Sequence, residues 1–335
     1  MPKAVIFGGI AGARLSDAER RFYRAVDPVG FILFARNVET PDQVQALTAS
    51  LTDLMGRELP ILLDQEGGRV QRLRPPHWRA APPARVFGRL AERDLAGARR
   101  AVYLNHRLLA AEQAALGITV DCAPVLDLGH AGAHAVIGDR AFGSDAILVA
   151  DLGRAAMEGL HDGGVQAVVK HAPGHGRALV DSHHALPVCD TDFDTLAATD
   201  FLPFRLLRDA PWMMTAHVVY SALDRENAAT TSRRVLQEVI RGHMGFDGLI
   251  VSDDLSMKAL SGTLAARAER SLRAGCDLLL HCNAGVDEMA EVAHATAELT
   301  PDAARRLAAA ARRPNRRPEP PEQLLAALDG LLATA

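Results

Sequence analysis

The chain has 335 residues, of which 48% are hydrophobic and 23% charged, so it is long and apolar enough to bury a large core. A formal net charge of -4 gives no electrostatic reason to expect nucleic acid or a membrane surface as a partner. Gly8 and Gly9 interrupt the first apolar stretch, and no run reaches the ~18–20 residues that span a bilayer. The four cysteines form no C-x-x-C pair, and we expect a reduced, soluble, cytoplasmic protein.

Eight short apolar runs recur along the chain, and each has the length of a strand that is buried on both faces. Amphipathic helical patterns separate them. Eight strand–helix units predict a single-domain α/β protein with a (β/α)8 TIM barrel, and a doubly wound open sheet is the structural alternative. The runs are residues 4–7, 30–34, 60–64, 119–123, 167–170, 212–217, 248–253 and 277–281.

The helical segments between the runs have recognisable starts, such as Thr40 as N-cap with Pro41 as the first helical residue. We expect a loop and one long helix within 79–117, and a barrel that comprises residues 1–310. Residues 311–335 hold a Pro- and Arg-rich tail (311–323) and a short apolar helix (324–332). The tail is either an arm that docks anions or a linker that lets the last helix pack on the barrel, and we expect the linker. Further helices are expected at 147–162, 195–208, 233–244, 263–274 and 286–298.

Six of the eight runs end in Asp, Lys or His. Because chemistry in such barrels takes place at the carboxyl ends of the strands, one common functional rim explains these positions better than six unrelated loop starts. The residues are Asp64, Asp121, Lys170 with His171, His217, Asp253 with Asp254, and His281.

Asp253 ends a strongly apolar run, so its carboxylate is expected to point into the mouth of the barrel as a nucleophile. The alternative for the Asp253–Asp254 pair is a double helix N-cap, and we expect Asp254 to face elsewhere and to cap the next helix.

A glycine-rich loop follows the fifth run and contains Asp181 and His183, which share a face if the loop is extended. A carboxylate beside an imidazole orients the ring and stabilises its protonated form, which suits a general acid/base. These residues are alternatively ordinary polar loop residues, or part of a metal site. The histidines that raise the metal alternative are His171, His175, His183, His184, His217 and His281.

A third segment, residues 64–72, places Gly67 and Gly68 after the third run, where they permit a tight turn. Asp64 and Arg72 are then expected to reach the mouth as acceptor and donor for ligand hydroxyl groups. Arg140 is equally compatible with a structural salt bridge and with ligand binding. The segment lacks the pattern of a phosphate-binding loop.

Six motifs together resemble glycoside hydrolase family 3, in particular its single-domain bacterial β-N-acetylglucosaminidases of peptidoglycan recycling. They are DQEGGRVQR (64–72), APVLDLG (123–129), VIGDRAFG (136–143), KHAPGHG (170–176), DSH (181–183) and SDDLSM (252–257). The resemblance implies a retaining exo-β-N-acetylglucosaminidase that releases GlcNAc from GlcNAc-1,6-anhydro-MurNAc peptides by double displacement.

The same resemblance assigns roles to individual residues. Asp253 matches the nucleophile, His183 the acid/base and Asp181 its dyad partner. The residues that match those holding the N-acetylglucosamine are Asp64, Arg72, Arg140, Lys170 and His171. The resemblance implies neither a metal nor another cofactor. As partners we expect a small-molecule carbohydrate, a muropeptide, and neither nucleic acid nor a membrane, and we expect a monomer.

Two features depart from the family pattern or leave a choice open. Ala172 stands where the family has a large aromatic, and Trp78 is a candidate for holding the second sugar. The alternative activities are a β-N-acetylglucosaminide phosphorylase, because a neutral imidazole repels phosphate less than a carboxylate does, and a metal-dependent barrel hydrolase. A sugar-binding protein without activity is the alternative from another class.

Overall fold

The computed structural model describes residues 1–132, 135–178, 180–182, 185–283, 285–312 and 319–333. Eight parallel strands close into a barrel in chain order, each hydrogen-bonded to the next and the last to the first. The predicted (β/α)8 barrel is confirmed, and the open doubly wound sheet is wrong. The strands are β1 (Lys3–Phe7), β2 (Pro28–Leu33), β3 (Ile61–Leu63), β4 (Val120–Asp121), β5 (Gln166–Ala172), β6 (Trp212–Thr215), β7 (Leu249–Asp254) and β8 (Leu278–His281).

The strands are continuously apolar because both of their faces are buried. Inward-facing residues form a cluster inside the barrel, as Val168 and Val251 do, whereas alternate residues such as Val169 and Ile250 pack against the surrounding helices. Each of the eight predicted runs overlaps one barrel strand.

Helices surround the barrel and connect its strands. They are α1 (Asp17–Val26), α2 (Pro41–Met55), α3 (Ala84–Ala91), α4 (Leu95–Ala115), α5 (Ala146–Asp162), α6 (Phe193–Ala198), α7 (Leu202–Leu206), α8 (Leu264–Ala274), α9 (Val286–Ala295), α10 (Pro301–Ala310) and α11 (Pro321–Leu332). Arg234–His243 is a helix with i→i+5 hydrogen bonds, and short 3-10 turns occur at Ala35–Asn37, Gly138–Arg140 and Ala229–Thr231. Gln65–Gly67 pairs with Val70–Gln71, and Val188–Cys189 with Val219–Tyr220.

Several helix boundaries agree with the sequence and others do not. The side chain of Thr40 accepts from the N–H of Gln43 and Pro41 begins α2, as predicted. The single helix predicted for 195–208 is wrong, because Pro203 has no N–H with which to continue the hydrogen bonding of α6 and instead lies in the first turn of a new helix. The segment 79–117 contains α3 before the expected long helix.

The last helices end elsewhere than the sequence suggests. The helix predicted for 286–298 ends at Ala295, since Glu298 forms a backbone bridge with Lys3 instead. The final helix begins at Pro321 rather than at 324 and packs on α4 through the buried Leu324 and Leu328.

The N-terminal end of the barrel is covered by α10, whose Ala303 is buried against the interior cluster. Asp277, just before β8, accepts hydrogen bonds from Arg306 of α10 at 2.9 Å and from Arg241 at 2.6 Å. The N–H of Ile250 donates to the same carboxylate at 2.8 Å. This end of the molecule is therefore held by a partly buried ion-pair network.

The four cysteines are buried free thiols. Cys122 and Cys282 lie in the interior cluster, whereas Cys189 and Cys276 lie between barrel and helices. Among the helices of the described ranges, none has the length and apolar character of a membrane span.

Candidate active site

A cleft of about 280 Å³ opens at the carboxyl ends of the strands, the end at which the sequence places the functional rim. Seven of the eight predicted site residues line this cleft: Asp64, Arg72, Arg140, Lys170, His171, Asp181 and Asp253. The eighth, His183, lies outside the described residues, as does His184.

Two acids and three cations form a continuous network on one wall of the cleft. Lys170 Nζ lies 2.8 Å from Asp64 Oδ1 and 2.7 Å from Glu66 Oε1. Arg72 donates to Asp64 at 3.0 Å, and Arg140 donates two hydrogen bonds of 2.8 Å to Glu66. The bidentate geometry fixes the guanidinium plane of Arg140, so these donors are held in place before a ligand arrives.

The charges of this network stay ionised despite their burial. Burial would raise the pKa of Glu66, but the Arg140 and Lys170 charges outweigh it and lower the pKa to about 2. Burial likewise opposes the charge on Asp64, yet Lys170 and Arg72 hold the pKa of that carboxyl well below its usual range. The pKa of Lys170 is raised because Asp64 and Glu66 outweigh its own desolvation. A wall of fixed charges suits recognition of polar hydroxyl groups better than proton transfer.

The hairpin formed by Gln65–Gly67 and Val70–Gln71 presents this wall. Gly67 and Gly68 have φ of +95° and +57°, and a Cβ on Gly67 would lie 2.4 Å from the carbonyl oxygen of Pro82. The buried side chain of Gln65 accepts from the N–H of Arg72 at 2.8 Å. The two glycines are therefore required for the turn that brings Glu66 and Arg72 to the same cleft.

His171 is oriented by a buried carboxylate that the sequence did not single out. Its Nδ1 lies 2.6 Å from Asp127 Oδ2, and Asp127 also accepts from the N–H of His175 at 2.6 Å. Burial would raise the pKa of Asp127, but the neighbouring His171 charge and hydrogen bonds lower it. With Nδ1 held by Asp127, the ring presents Nε2, which lies 3.5 Å from Arg140, on its other side.

Asp253 and Asp254 end β7 and have different environments. Asp253 is half-buried in the cleft, and its Oδ1 accepts from the N–H of Asp254 at 2.8 Å. Asp254 accepts from the N–H groups of Ser256 and Cys282, both at 3.0 Å. The expectation that Asp254 caps the next helix is wrong, because Thr263 caps α8 and Asp254 instead holds the loops after β7 and β8. The alternative of a double N-cap is thereby excluded.

Two rim histidines lie beneath the cleft rather than in it. His217 Nδ1 lies 2.7 Å from Thr230 Oγ1 and its Nε2 3.0 Å from the carbonyl oxygen of Asp254, so this ring fixes the backbone beyond Asp253. Burial lowers the pKa of His217 and of His281. In the part of the chain that the structure describes, no three His, Cys, Asp or Glu side chains are grouped to hold a metal ion.

The structure also places residues whose roles the sequence left open or missed. Trp78 packs on the core around β1 to β3 and does not line the cleft, so it is a poor candidate for the second sugar. Ala172 is buried within β5. Glu66, Asp127 and His175 were missed as site residues, although each lies inside a glycine- or proline-containing motif, and that was the available signal.

Comparison with known proteins supports a function for this cleft. Residues 12–313 match the model of the glycosyl hydrolase family 3 N terminal domain. The chain belongs to glycoside hydrolase family 3. A beta-hexosaminidase of Aromatoleum aromaticum is 42% identical over 288 residues, covering 84% of this chain and 80% of that protein. Another, of Methylobacillus flagellatus, is 43% identical over 278 residues, covering 82% and 79%.

A solved structure of this glycoside hydrolase family agrees over almost the whole chain. NagZ from Neisseria gonorrhoeae, in complex with N-trifluoroacetyl-D-glucosamine, has a TM-score of 0.90 and 35% identity, covering 99% of both chains. The protein is therefore a glycoside hydrolase.

Proposed function

We propose that the protein is a retaining exo-β-N-acetylglucosaminidase that releases GlcNAc from GlcNAc-1,6-anhydro-MurNAc peptides during cytoplasmic recycling of the cell wall. The observation that carries the proposal is the presence of Asp253, Asp181 and the charged wall in one small cleft. The beta-hexosaminidase names of the relatives and the sugar analogue bound by the Neisseria gonorrhoeae protein support the same substrate class.

The charged wall is suited to hold the terminal sugar. Asp64 offers carboxylate oxygens to hydroxyl groups, and Lys170, Arg72 and Arg140 offer N–H donors. Because Asp64 and Glu66 already offset two of the three cations, a neutral sugar can bind without bringing a charge into the cleft. A cleft of about 280 Å³ is small, which favours one terminal residue and hence exo action.

Three side chains carry out the reaction: those of Asp253, His183 and Asp181. Asp253 attacks the anomeric carbon, the bond to the leaving oxygen breaks, and protonated His183 gives that oxygen its proton. Water, deprotonated by His183, then attacks the glycosyl–Asp253 ester, which frees GlcNAc with retained configuration and restores both groups. Asp181 stabilises the imidazolium form of His183.

Product analysis on GlcNAc-1,6-anhydro-MurNAc tests the proposal. We expect free GlcNAc, released initially as the β-anomer and at a rate that neither inorganic phosphate nor a chelator changes. GlcNAc-1-phosphate formed in phosphate buffer would support the phosphorylase instead, and loss of activity with chelator would support the metal-dependent hydrolase. Absence of any product from this disaccharide and from a chromogenic N-acetylglucosaminide would overturn the proposal.

The acid/base role of His183 has a separate signature. In His183→Ala, a substrate with a good leaving group needs little protonation, so it should lose much less activity than the disaccharide does. We expect the disaccharide rate to fall about 10²–10⁴-fold. Equal losses on both substrates, measured as kcat/KM, would contradict the acid role.

A further inference from the structure

The loop that leads from β5 to Asp181 is closed by a buried hydrogen bond. His175 Nε2 lies 3.1 Å from Ser182 Oγ, and each of the two residues is only 3% exposed. Ser182 is bonded directly to Asp181 on one side and to His183 on the other. Whatever fixes Ser182 therefore also restrains Asp181, the residue before it.

The first end of this loop is anchored rigidly. The N–H of His175 donates to Asp127 Oδ1 at 2.6 Å, and Asp127 is fully buried. A Cβ on Gly176 would lie 2.2 Å from the carbonyl oxygen of Leu128, so the next residue packs tightly on the same segment after β4. His175 thus offers a fixed point to the far end of the loop.

Ser182 is held from a second direction as well. Its carbonyl oxygen accepts from the N–H of Ala259 at 3.2 Å, and Ala259 lies in the segment that follows β7. Asp253 lies in β7, six positions before Ala259. The serine consequently links the segment of Asp181 with the segment of Asp253.

The chemistry of the His175 ring determines the direction of the hydrogen bond. Burial lowers the pKa of His175 to about 4, so the ring is neutral near pH 7 and carries one N–H. Its buried Nδ1 has no partner among the described residues. Since an orphaned N–H is costlier than an orphaned acceptor, we assign the hydrogen to Nε2, which donates to Ser182 Oγ.

We propose that His175 and Ser182 are positioning residues: their hydrogen bond fixes Asp181, the partner of the acid/base, in the cleft that Asp253 also lines. This inference rests on the proposed function, and it adds two residues that act through the dyad rather than through the sugar-binding wall.

Ser182→Ala tests the inference because it deletes one hydroxyl group. We expect kcat for the disaccharide to fall about 10-fold or more, since small displacements of a catalytic group are costly, while KM changes less than about 2-fold. A chromogenic substrate with a good leaving group should be affected little. Ser182→Thr, which keeps the hydroxyl, should recover most of the rate. Ser221→Ala removes a hydroxyl that donates to the carbonyl oxygen of Cys189 and does not line the cleft, so it should behave as wild type.

A double-mutant cycle separates positioning from general damage. In the His183→Ala background, Ser182→Ala should cause almost no further loss, because Asp181 contributes to the reaction only through His183. Additive losses, or equal losses on both substrates, would overturn the inference. If Ser182→Ala does not fold, as judged by its thermal transition, His175→Gln replaces it in the same cycle. An inactive wild type would overturn the proposed function, whereas an active wild type with a fully active Ser182→Ala overturns only the positioning role.

Discussion

Single acidic residues of the cleft are held in different ways, and this separates their roles. Both carboxylate oxygens of Glu66 are already engaged by Arg140 and Lys170. Asp253 is half-buried at a strand end and accepts a backbone N–H from Asp254. A carboxylate supported by rigid backbone and open to the cleft is suited to nucleophilic attack.

Asp253→Ala should therefore abolish turnover while the protein remains folded. We expect kcat to fall by at least ~10³-fold, because no other carboxylate takes over the covalent step. Initial rates on a chromogenic N-acetylglucosaminide measure turnover, and a thermal melt shows whether the variant is folded. Asp53→Ala, on the exposed face of α2, is the matched control. A variant with wild-type turnover would refute the nucleophile assignment.

Glu66 is expected to contribute stability that depends on pH. Its pKa of about 2 in the folded chain lies below the ordinary value of 4.5, so ionisation favours the folded state. That contribution is complete above about pH 4.5 and is lost as the pH falls towards 2. In Glu66→Gln, the free energy of unfolding should be lower at pH 7 and should decline less between these pH values. Denaturant titrations at several pH values test this, and the exposed Glu58→Gln should retain the wild-type slope.

The residues that sequence could predict are those whose position along a strand determines where they point. Asp64, Lys170 and Asp253 end buried apolar runs, and the barrel places every such end at one face. Glu66 and Asp127 escaped prediction because their roles depend on partners 74 and 44 positions away, Arg140 and His171. No local sequence pattern predicts such distant pairings, although Glu66 and Asp127 both lie within motifs that the sequence analysis identified.

Individual elements show the same division between local and distant causes. The strands and α2 follow from apolar runs and from the Thr40 cap, which are local signals. The break between α6 and α7 is also local, since Pro203 forces it, and the apolar periodicity on both sides concealed it. The early end of α9 depends instead on the backbone bridge between Lys3 and Glu298, at opposite ends of the barrel sequence.

The last helix, α11, is predicted to stabilise the barrel through its apolar face. Leu328 is 1% exposed against α4, whereas Leu325 on the same helix is 39% exposed. Leu328→Ala should lower the free energy of unfolding by about 2–4 kcal/mol, and Leu325→Ala by less than about 0.5 kcal/mol. Urea titration of both variants measures the difference. Equal and small effects would mean that α11 contributes little to the fold.

In the whole molecule, the candidate cleft and the charged network of α10 lie at opposite ends of the barrel. The carboxyl ends of the strands carry the cleft, and the amino ends are closed by α10 with Asp277, Arg306 and Arg241. The eight-fold alternation of apolar runs and helical patterns was sufficient to predict this architecture, because strands buried on both faces leave a strong signal. The division into residues 1–310 and a tail from 311 stays a prediction.

Asp277→Asn should affect stability and leave catalysis intact. It leaves Arg241 without its partly buried countercharge, whereas Arg306 keeps its ion pair with Asp247, and we expect the free energy of unfolding to fall by about 1–3 kcal/mol. Because the site lies at the far end of the barrel, kcat/KM at a temperature where the variant is folded should equal that of wild type. A thermal melt tests the expected loss of stability, and steady-state rates test the unchanged catalysis. A reduced kcat/KM would show that the two ends of the barrel are coupled.

The four buried thiols can report local opening of the native structure. Burial raises the pKa of Cys122, Cys276 and Cys282, and the thiolate is the form that alkylating reagents attack. The native protein should thus react slowly, and each thiol should become labelled only when its surroundings open. Cys122 and Cys282 report on the interior of the barrel, and Cys189 and Cys276 on the layer between strands and helices. Pulsed alkylation read by mass spectrometry would then rank the opening of these two regions without any introduced label.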